Sequence, residues 1–238
     1  MESNLITILV IGFVLGLKHG MEPDHIIAVS TIASQSKRLW LSSLTGIFWG
    51  IGHSVTLLVV GLMFLLFKNS IPETFSMSAE FFVGIMLVYL GISTLITYKK
   101  KKIHVHEHGT DSENQHKHFH SHELNKGHNH EHSKNYIKSM IIGFVHGLAG
   151  SAAMVVLTMS TVKSIWEGFL YMSVFGTGTI FGMFFFTTLV GIPFVISANK
   201  LRINNVLICV AGAFSTIYGF YFMYNLGVND GLFSIWFN

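Results

Sequence analysis

Four ionisable residues lie within seven positions of one long apolar segment, residues 5–33: His19, Glu22, Asp24 and His25. A charged side chain in the middle of a membrane costs about 3 kcal/mol or more, so such residues usually face an interior path or site. Imidazole nitrogen together with carboxylate oxygen suits borderline dications such as Ni²⁺ and Co²⁺. The cluster therefore predicts a metal site within the membrane, with all four residues as candidate ligands.

This segment is not expected to run as one straight helix. Pro23 has no N–H, and its ring clashes with the carbonyl of His19 in a continuous helix. It also disfavours helical geometry at Glu22, and Gly20 adds backbone freedom. On an ideal helix His19 and His25 would point about 240° apart, at about 100° per residue. We therefore predict a break at Pro23, which would let the two imidazoles share one ion.

Two further histidines, His53 and His146, lie in other apolar segments. They are predicted to complete or gate the site from neighbouring helices, although a lone histidine in such a segment is often a hydrogen-bonded packing residue. Lys18 either pairs with Glu22, four residues later, or helps to release the ion. Three hydroxyl residues are candidates to support the ligands from behind: Ser54, Thr177 and Thr179.

The composition is that of a polytopic helical membrane protein. Half of the 238 residues are hydrophobic, 11% are charged and the mean hydropathy is +0.53. Long apolar runs of this kind indicate membrane helices. We expect six spans, at 5–33, 41–67, 81–98, 136–160, 169–197 and 206–226, the first being a membrane helix and not a cleaved signal. A single cysteine, Cys209, excludes an internal disulfide and a dithiol relay within the chain.

Basic residues predict the orientation. The first, third and fifth loops carry twelve lysines and arginines, against two in the other loops. Because cytoplasmic loops are enriched in these residues, both termini are expected outside the cytoplasmic membrane.

The two halves of the chain resemble each other. GFVLGL at 12–17 matches GFVHGL at 143–148, and GxG occurs at 50–52 and at 176–178. The third and sixth spans share a seven-residue glycine spacing, Gly84 to Gly91 and Gly212 to Gly219. Two successive three-helix halves have opposite orientations, as in the inverted repeats of secondary transporters. We expect one repeat at 1–102 and the other at 136–238.

The segment 103–135 between the halves is rich in histidine and nearly free of apolar residues, so we predict a disordered cytoplasmic loop. Imidazoles bind zinc, copper, iron and nickel, and the loop is interpreted as a metal-sequestering segment; the alternative is a solvated linker. Its histidines are His104, His106, His108, His116, His118, His120, His122, His128, His130 and His132.

These motifs carry a family resemblance. GLKHGMEPDHI at 16–26, with its His-x4-Asp-His spacing, resembles the signature of the nickel/cobalt transporter superfamily, and most closely its urease-accessory (UreH-like) branch. Gly52-His53-Ser54 is similar to the Gly-His-Ser motif of the next helix in that family. GLAGSA at 147–152 and FGTGT at 175–179 resemble second-half motifs of the branch. The resemblance implies transport of nickel or cobalt, by uptake or by efflux.

We therefore predict a secondary transporter that takes up Ni²⁺, or Co²⁺, through the His-x4-Asp-His site by alternating access. No Gly-x4-Gly-Lys-Ser/Thr motif for ATP is present. Protonation of the ligands should weaken metal binding at acid pH. The expected partners are the transported ion and the lipid bilayer, with no nucleic acid and no catalytic cofactor. Faces of small residues also permit a homo-oligomer.

Three alternatives stay open. An efflux permease would use the same residues and the same histidine-rich loop. A membrane-embedded zinc hydrolase would use the histidines, Asp24 and a serine, with one open position for water; the absence of His-Glu-x-x-His argues against an enzyme. A metal sensor or storage protein would bind the ion without flux.

Overall fold

The structure is a computed structural model that describes residues 5–36, 38–67, 72–102, 131–162 and 164–237, with the backbone alone at 99–102, 131–135, 151–157 and 159–161. The regular structure of these residues is entirely helical, as predicted. The helices are α1 (Leu5–His19), α2 (Pro23–Ala33), α3 (Leu39–Phe67), α4 (Glu73–Lys102), α5 (Glu131–Thr161), α6 (Ile165–Ser197), α7 (Leu201–Tyr224) and α8 (Leu232–Phe237), with a π-helical turn, Asn225–Asn229, between the last two.

The first predicted span is broken in two at the metal-site motif. Helix α1 ends at His19, α2 begins at Pro23, and the two helices are bent by 54°. Glu22 precedes α2 with extended backbone, φ −64° and ψ 151°, which is the geometry that a following proline favours. Pro23 lies in the first turn of α2, where its missing N–H leaves no helical hydrogen bond unmade. The predicted break is confirmed.

Four helical stretches are long and apolar enough to cross a membrane: Leu39–Phe67, Glu73–Tyr98, Ile165–Ser197 and Leu201–Asn229. The bent pair of α1 and α2 adds a fifth if it counts as one span. The chain is therefore a multi-pass membrane protein. Helix α5 corresponds to the predicted span at 136–160 and has 31 residues, but many of its side chains are not described, and the count of six spans stays a prediction.

Two helices extend beyond the predicted apolar spans. Helix α4 begins at Glu73 and not at 81. Helix α5 begins at Glu131, so residues 131–135, predicted to be disordered, have helical backbone. Hydropathy marks only the apolar part of a helix, whereas the backbone hydrogen bonds continue into the polar flanks. Residues 103–130 of the predicted loop lie outside the described residues.

Helix α3 is the centre of the bundle. It packs against both α5 and α6, while α1 packs against α6 and α4 against α7. The hydroxyls of Ser43 and Thr188 are 2.7 Å apart and join α3 to α6 by a hydrogen bond. Large apolar side chains cover the outer faces, among them Ile196, 71% exposed, and Ile217, 67% exposed. Helices that are apolar all round fit a bundle surrounded by lipid.

Glycines bring α4 and α7 into close contact. A Cβ built on Gly219 would lie 2.8 Å from the carbonyl oxygen of Gly84 and 2.8 Å from Val88 Cγ2. A Cβ on Gly212 would lie 3.1 Å from the carbonyl oxygen of Gly91. The four glycines that share the seven-residue spacing thus face one another across this interface, where only small residues let the backbones approach.

Replacing Gly219 with alanine should therefore destabilise the bundle. The new methyl group meets backbone atoms that cannot move aside, and overpacking of this kind costs about 1–3 kcal/mol. The melting temperature of the purified protein in detergent should fall. Ile217→Ala, on the exposed face of the same helix, is the control and should change it little; equal melting temperatures for both variants would contradict the packing described.

Candidate metal site

The structure brings together all six residues that were predicted as intramembrane ligands. His19 ends α1, Glu22 lies in the break, and Asp24 and His25 lie in the first turn of α2. From the neighbouring helices come two more imidazoles, His53 of α3 and His146 of α5. Because the chain bends at Pro23, the ring centroids of His19 and His25 are 4.9 Å apart.

Three imidazoles form the centre of the site. One nitrogen each from His19, His25 and His53 lies within 4.8 Å of the others. The Nε2 atoms of His19 and His53 are 3.0 Å apart. His25 and His53 are 2% and 0% exposed. Three converging imidazole nitrogens are a ligand set that could bind a borderline dication.

Two carboxylates hold two of these rings from the opposite side. Glu22 Oε2 is 3.0 Å from Nδ1 of His19, and Asp24 Oδ1 is 2.9 Å from Nδ1 of His25. A carboxylate at Nδ1 favours the tautomer with the proton there, which leaves the Nε2 lone pair free for a metal. The geometry therefore places Glu22 behind the candidate ligand His19, whereas Glu22 itself was predicted as a ligand.

Asp24 also reaches the fourth imidazole. Its Oδ2 atom is 2.8 Å from Nε2 of His146, and the rings of His146 and His25 stack with centroids 4.0 Å apart. Asp24, His25 and His146 form a second group whose ligand atoms lie within 4.8 Å of one another. His25 belongs to both groups, so the two candidate ion positions adjoin. Asp24 is thus placed either to orient His25 or to bind an ion in the second group.

Several buried ring nitrogens of the site have no hydrogen-bond partner among the described residues. They are Nε2 of His25, Nδ1 of His53 and Nδ1 of His146, together with Nε1 of Trp49, whose ring is 5.7 Å from that of His146. A buried polar atom without a partner costs about 1–3 kcal/mol. For His25 Nε2, a metal ion would supply the missing interaction.

The predicted supporting hydroxyls are used elsewhere. Ser54 donates to the carbonyl of Gly176 at 2.9 Å, Thr177 to Ser173 at 2.8 Å and Thr179 to Phe175 at 3.1 Å. These bonds satisfy hydroxyls within an apolar bundle.

A cavity of about 460 Å³ adjoins the imidazoles. Lys18 and Glu22 line it, but no ion pair joins them within the described part of the chain, and Glu22 contacts His19 instead. Glu80 of α4 also lines the cavity, although it was not among the predicted site residues. The signal was present, since Glu80 stands immediately before an apolar run, but the predicted span began one residue later.

Gly150 and Phe175 were quoted only as parts of motifs, yet both adjoin His19. A Cβ on Gly150 would lie 3.1 Å from both Cε1 and Nε2 of His19. The ring of Phe175 is 5.5 Å from that of His19. These two residues restrict the space around one ligand.

The side chains of the loop histidines are not described. Nine of them, from His104 to His130, lie outside the described residues. His132 lies in the first turn of α5, where only the backbone is described. Metal binding by the loop stays a prediction.

Comparisons with known proteins cover nearly the whole chain. A family model described as "Cytochrome C biogenesis protein transmembrane region" matches residues 7–221. The urease accessory protein UreH of Bacillus sp. (strain TB-90) is 54% identical over 235 residues, which is 99% of this chain and 98% of the relative. Two Arabidopsis thaliana proteins, Chloroplast protein FOR GROWTH AND FERTILITY 1 and 2, are 27% and 26% identical over 80% of this chain and 51% and 49% of their own lengths. No solved structure matches the chain.

The carboxylate behind His25 yields a test of the geometry. Asp24→Asn keeps the shape but removes the charge that orients the ring, and such changes weaken metal binding about 10- to 100-fold. Calorimetric titration with Ni²⁺ should show this loss in a background with the ten loop histidines changed to alanine. Asp230→Asn, at an exposed acid, should bind as tightly as the background; full affinity in Asp24→Asn would contradict the orienting role.

Proposed function

This chain belongs to the family described as cytochrome c biogenesis protein transmembrane region, and its 54% identical relative places it among the urease-accessory membrane proteins. From this premise we propose that it carries Ni²⁺ across the cytoplasmic membrane. Co²⁺ is the second candidate ion. The observation that carries the proposal is the convergence of His19, His25 and His53 at a broken helix inside a multi-pass bundle. Broken helices of this kind bind ions in secondary transporters.

The resemblance to the urease-accessory branch is confirmed by that relative, while the family model does not itself name nickel or cobalt transport. The description of the family names cytochrome c biogenesis, but dithiol chemistry within one chain needs two cysteines, and this chain has only Cys209. Metal handling therefore suits these residues better than electron transfer through a disulfide.

Nickel is proposed on two grounds. The name of the relative links it to urease, and the motif at 16–26 resembles the signature of the nickel/cobalt transporter superfamily. Neutral imidazoles backed by carboxylates also suit Ni²⁺ better than they suit the hard ions Mg²⁺ or Ca²⁺, which prefer oxygen ligands. Because an accessory protein serves an enzyme that needs the metal, uptake is the proposed direction, with efflux as the alternative.

Transport would proceed by rearrangement of the two halves around the site. The helix pairings support an inverted repeat. The first helix of the first half, α1, packs on α6, and in the same way the first helix of the second half, α5, packs on α3. The last helices of the two halves, α4 and α7, pack on each other through glycines of matching spacing. The ion would lose its water, bind His19, His25 and His53, and be released when the halves move. Asp24 and Glu22 would hold the rings during this exchange.

Flux measurements test the function. Right-side-out membrane vesicles that contain the full chain should accumulate radioactive nickel. His19→Ala or His25→Ala should reduce the initial rate of uptake at least about tenfold, since even the loss of a residue that orients a metal ligand lowers affinity or activity by about that factor. His128→Ala, in the loop, is the matched control and should transport normally. Flux in inverted vesicles alone would mean export. Tight binding with no flux in either orientation would reject the transporter.

The proposed topology has its own test. In a Cys209→Ser background, a single cysteine is introduced by Glu2→Cys, Ser112→Cys or Asn238→Cys. A membrane-impermeant maleimide should label the two terminal cysteines in right-side-out vesicles and the loop cysteine only in inverted ones, because the basic loops lie inside. Labelling of the termini from opposite sides would exclude six spans, since an even number returns the chain to the same side.

A further inference from the structure

The cavity beside the imidazoles is lined by one acidic residue, Glu80, that lies outside the metal-site motif. Glu80 is on α4, far along the chain from His19 and His25, and it lines the same cavity as they do. It is half-buried. Among the described residues its carboxylate has one hydrogen-bond partner, the hydroxyl of Ser76, which donates at 3.4 Å. That contact is long, and the carboxylate remains able to meet another ligand.

The position of Glu80 places it on the way to the site. It lies seven residues after the start of α4, about 10 Å along that helix. Phe222 lies two residues before the end of α7, which packs against α4, and it also lines the cavity. The cavity therefore extends from the imidazoles toward the end of the bundle where α4 begins and α7 ends. In the proposed topology this end faces the outside.

The charges of the cavity wall favour a dication. Three carboxylates, those of Glu22, Asp24 and Glu80, line it together with one ammonium group, that of Lys18. With neutral imidazoles, two negative charges remain. Clefts lined by one sign of charge raise the local concentration of the opposite ion and accelerate its arrival about 10- to 1,000-fold. Within the described residues no cation lies within salt-bridge distance of Glu80, so its charge is uncompensated.

We infer that Glu80 recruits the metal ion into the cavity and passes it to the imidazoles of His19, His25 and His53, an inference that rests on the proposed transport function. An oxygen ligand binds a hydrated dication weakly and releases it readily. The imidazoles then replace water as the ion moves inward. Glu80 is thus a pathway residue that sets the rate of loading and leaves the final ligand set to the three histidines.

The test compares two neutralised acids on one helix. Glu80→Gln removes the cavity charge, and Glu73→Gln removes an exposed charge from the first turn of α4. With NiCl₂ as the probe, kcat/KM for nickel flux should fall about tenfold in Glu80→Gln and stay unchanged in Glu73→Gln. Glu80→Asp, which keeps the charge, should retain at least half of the native value. Equilibrium binding of Ni²⁺ to Glu80→Gln, in the background without loop histidines, should match the native protein within about twofold.

Ionic strength distinguishes recruitment from a structural role. Raising it from about 0.01 M to about 0.15 M shortens the screening length from about 30 Å to about 8 Å. The native kcat/KM should fall with this change, and that of Glu80→Gln should fall less. Native flux in Glu80→Gln, or equal losses of flux in Glu80→Gln and Glu73→Gln, would overturn the inference, as would weakened equilibrium binding in Glu80→Gln.

The variant His25→Ala separates the two proposals. If His25→Ala transports nickel normally, the imidazole site itself is rejected. If His25→Ala loses flux while Glu80→Gln keeps native flux, recruitment alone is rejected.

Discussion

The break between α1 and α2 is the feature on which the rest of the site depends. In a membrane, backbone polar groups must find partners within the protein, so a helix can be interrupted only where its free ends are satisfied. Here the amides of Gly20, Met21 and Glu22 bond back to the last turn of α1 at 3.0–3.1 Å. Pro23 then starts α2 without an amide to satisfy. The interruption is therefore inexpensive, and it turns His25 toward His19, which no continuous helix could do.

The second requirement is close packing of the surrounding helices. His53 and His146 reach the break because α3 packs against α5 at the centre of the bundle. Small residues permit this approach: even one methyl group on Gly150 would press on the ring of His19. Van der Waals packing replaces the hydrophobic effect as the force between membrane helices, so shape complementarity carries much of the stability. The same packing that stabilises the bundle thus sets the distances between the imidazoles.

The electrostatic arrangement suits an ion that must enter and leave. Asp24 lies between two imidazoles, His25 and His146, and its side chain is largely buried, with 20% exposed. A buried carboxylate is costly unless hydrogen bonds or a cation compensate its charge. The two imidazoles beside Asp24 offer hydrogen bonds, and an ion bound in either of the two adjoining groups that share His25 would add a cation. In the proposed transporter, two overlapping positions with one shared ligand would let the ion bind without being trapped.

Composition and local rules were sufficient for the helical class, for the break at Pro23 and for the list of intramembrane histidines, because hydropathy and proline geometry act within a few residues. Local rules did not reveal Glu80, since the role proposed for it depends on a cavity that residues of five other helices also line. They also treated Glu22 as a ligand, whereas the fold puts its carboxylate against Nδ1 of His19. Which atom of a side chain faces an ion depends on ring orientation and on contacts between distant segments. Those follow from how the helices pack, and no spacing along the chain encodes them.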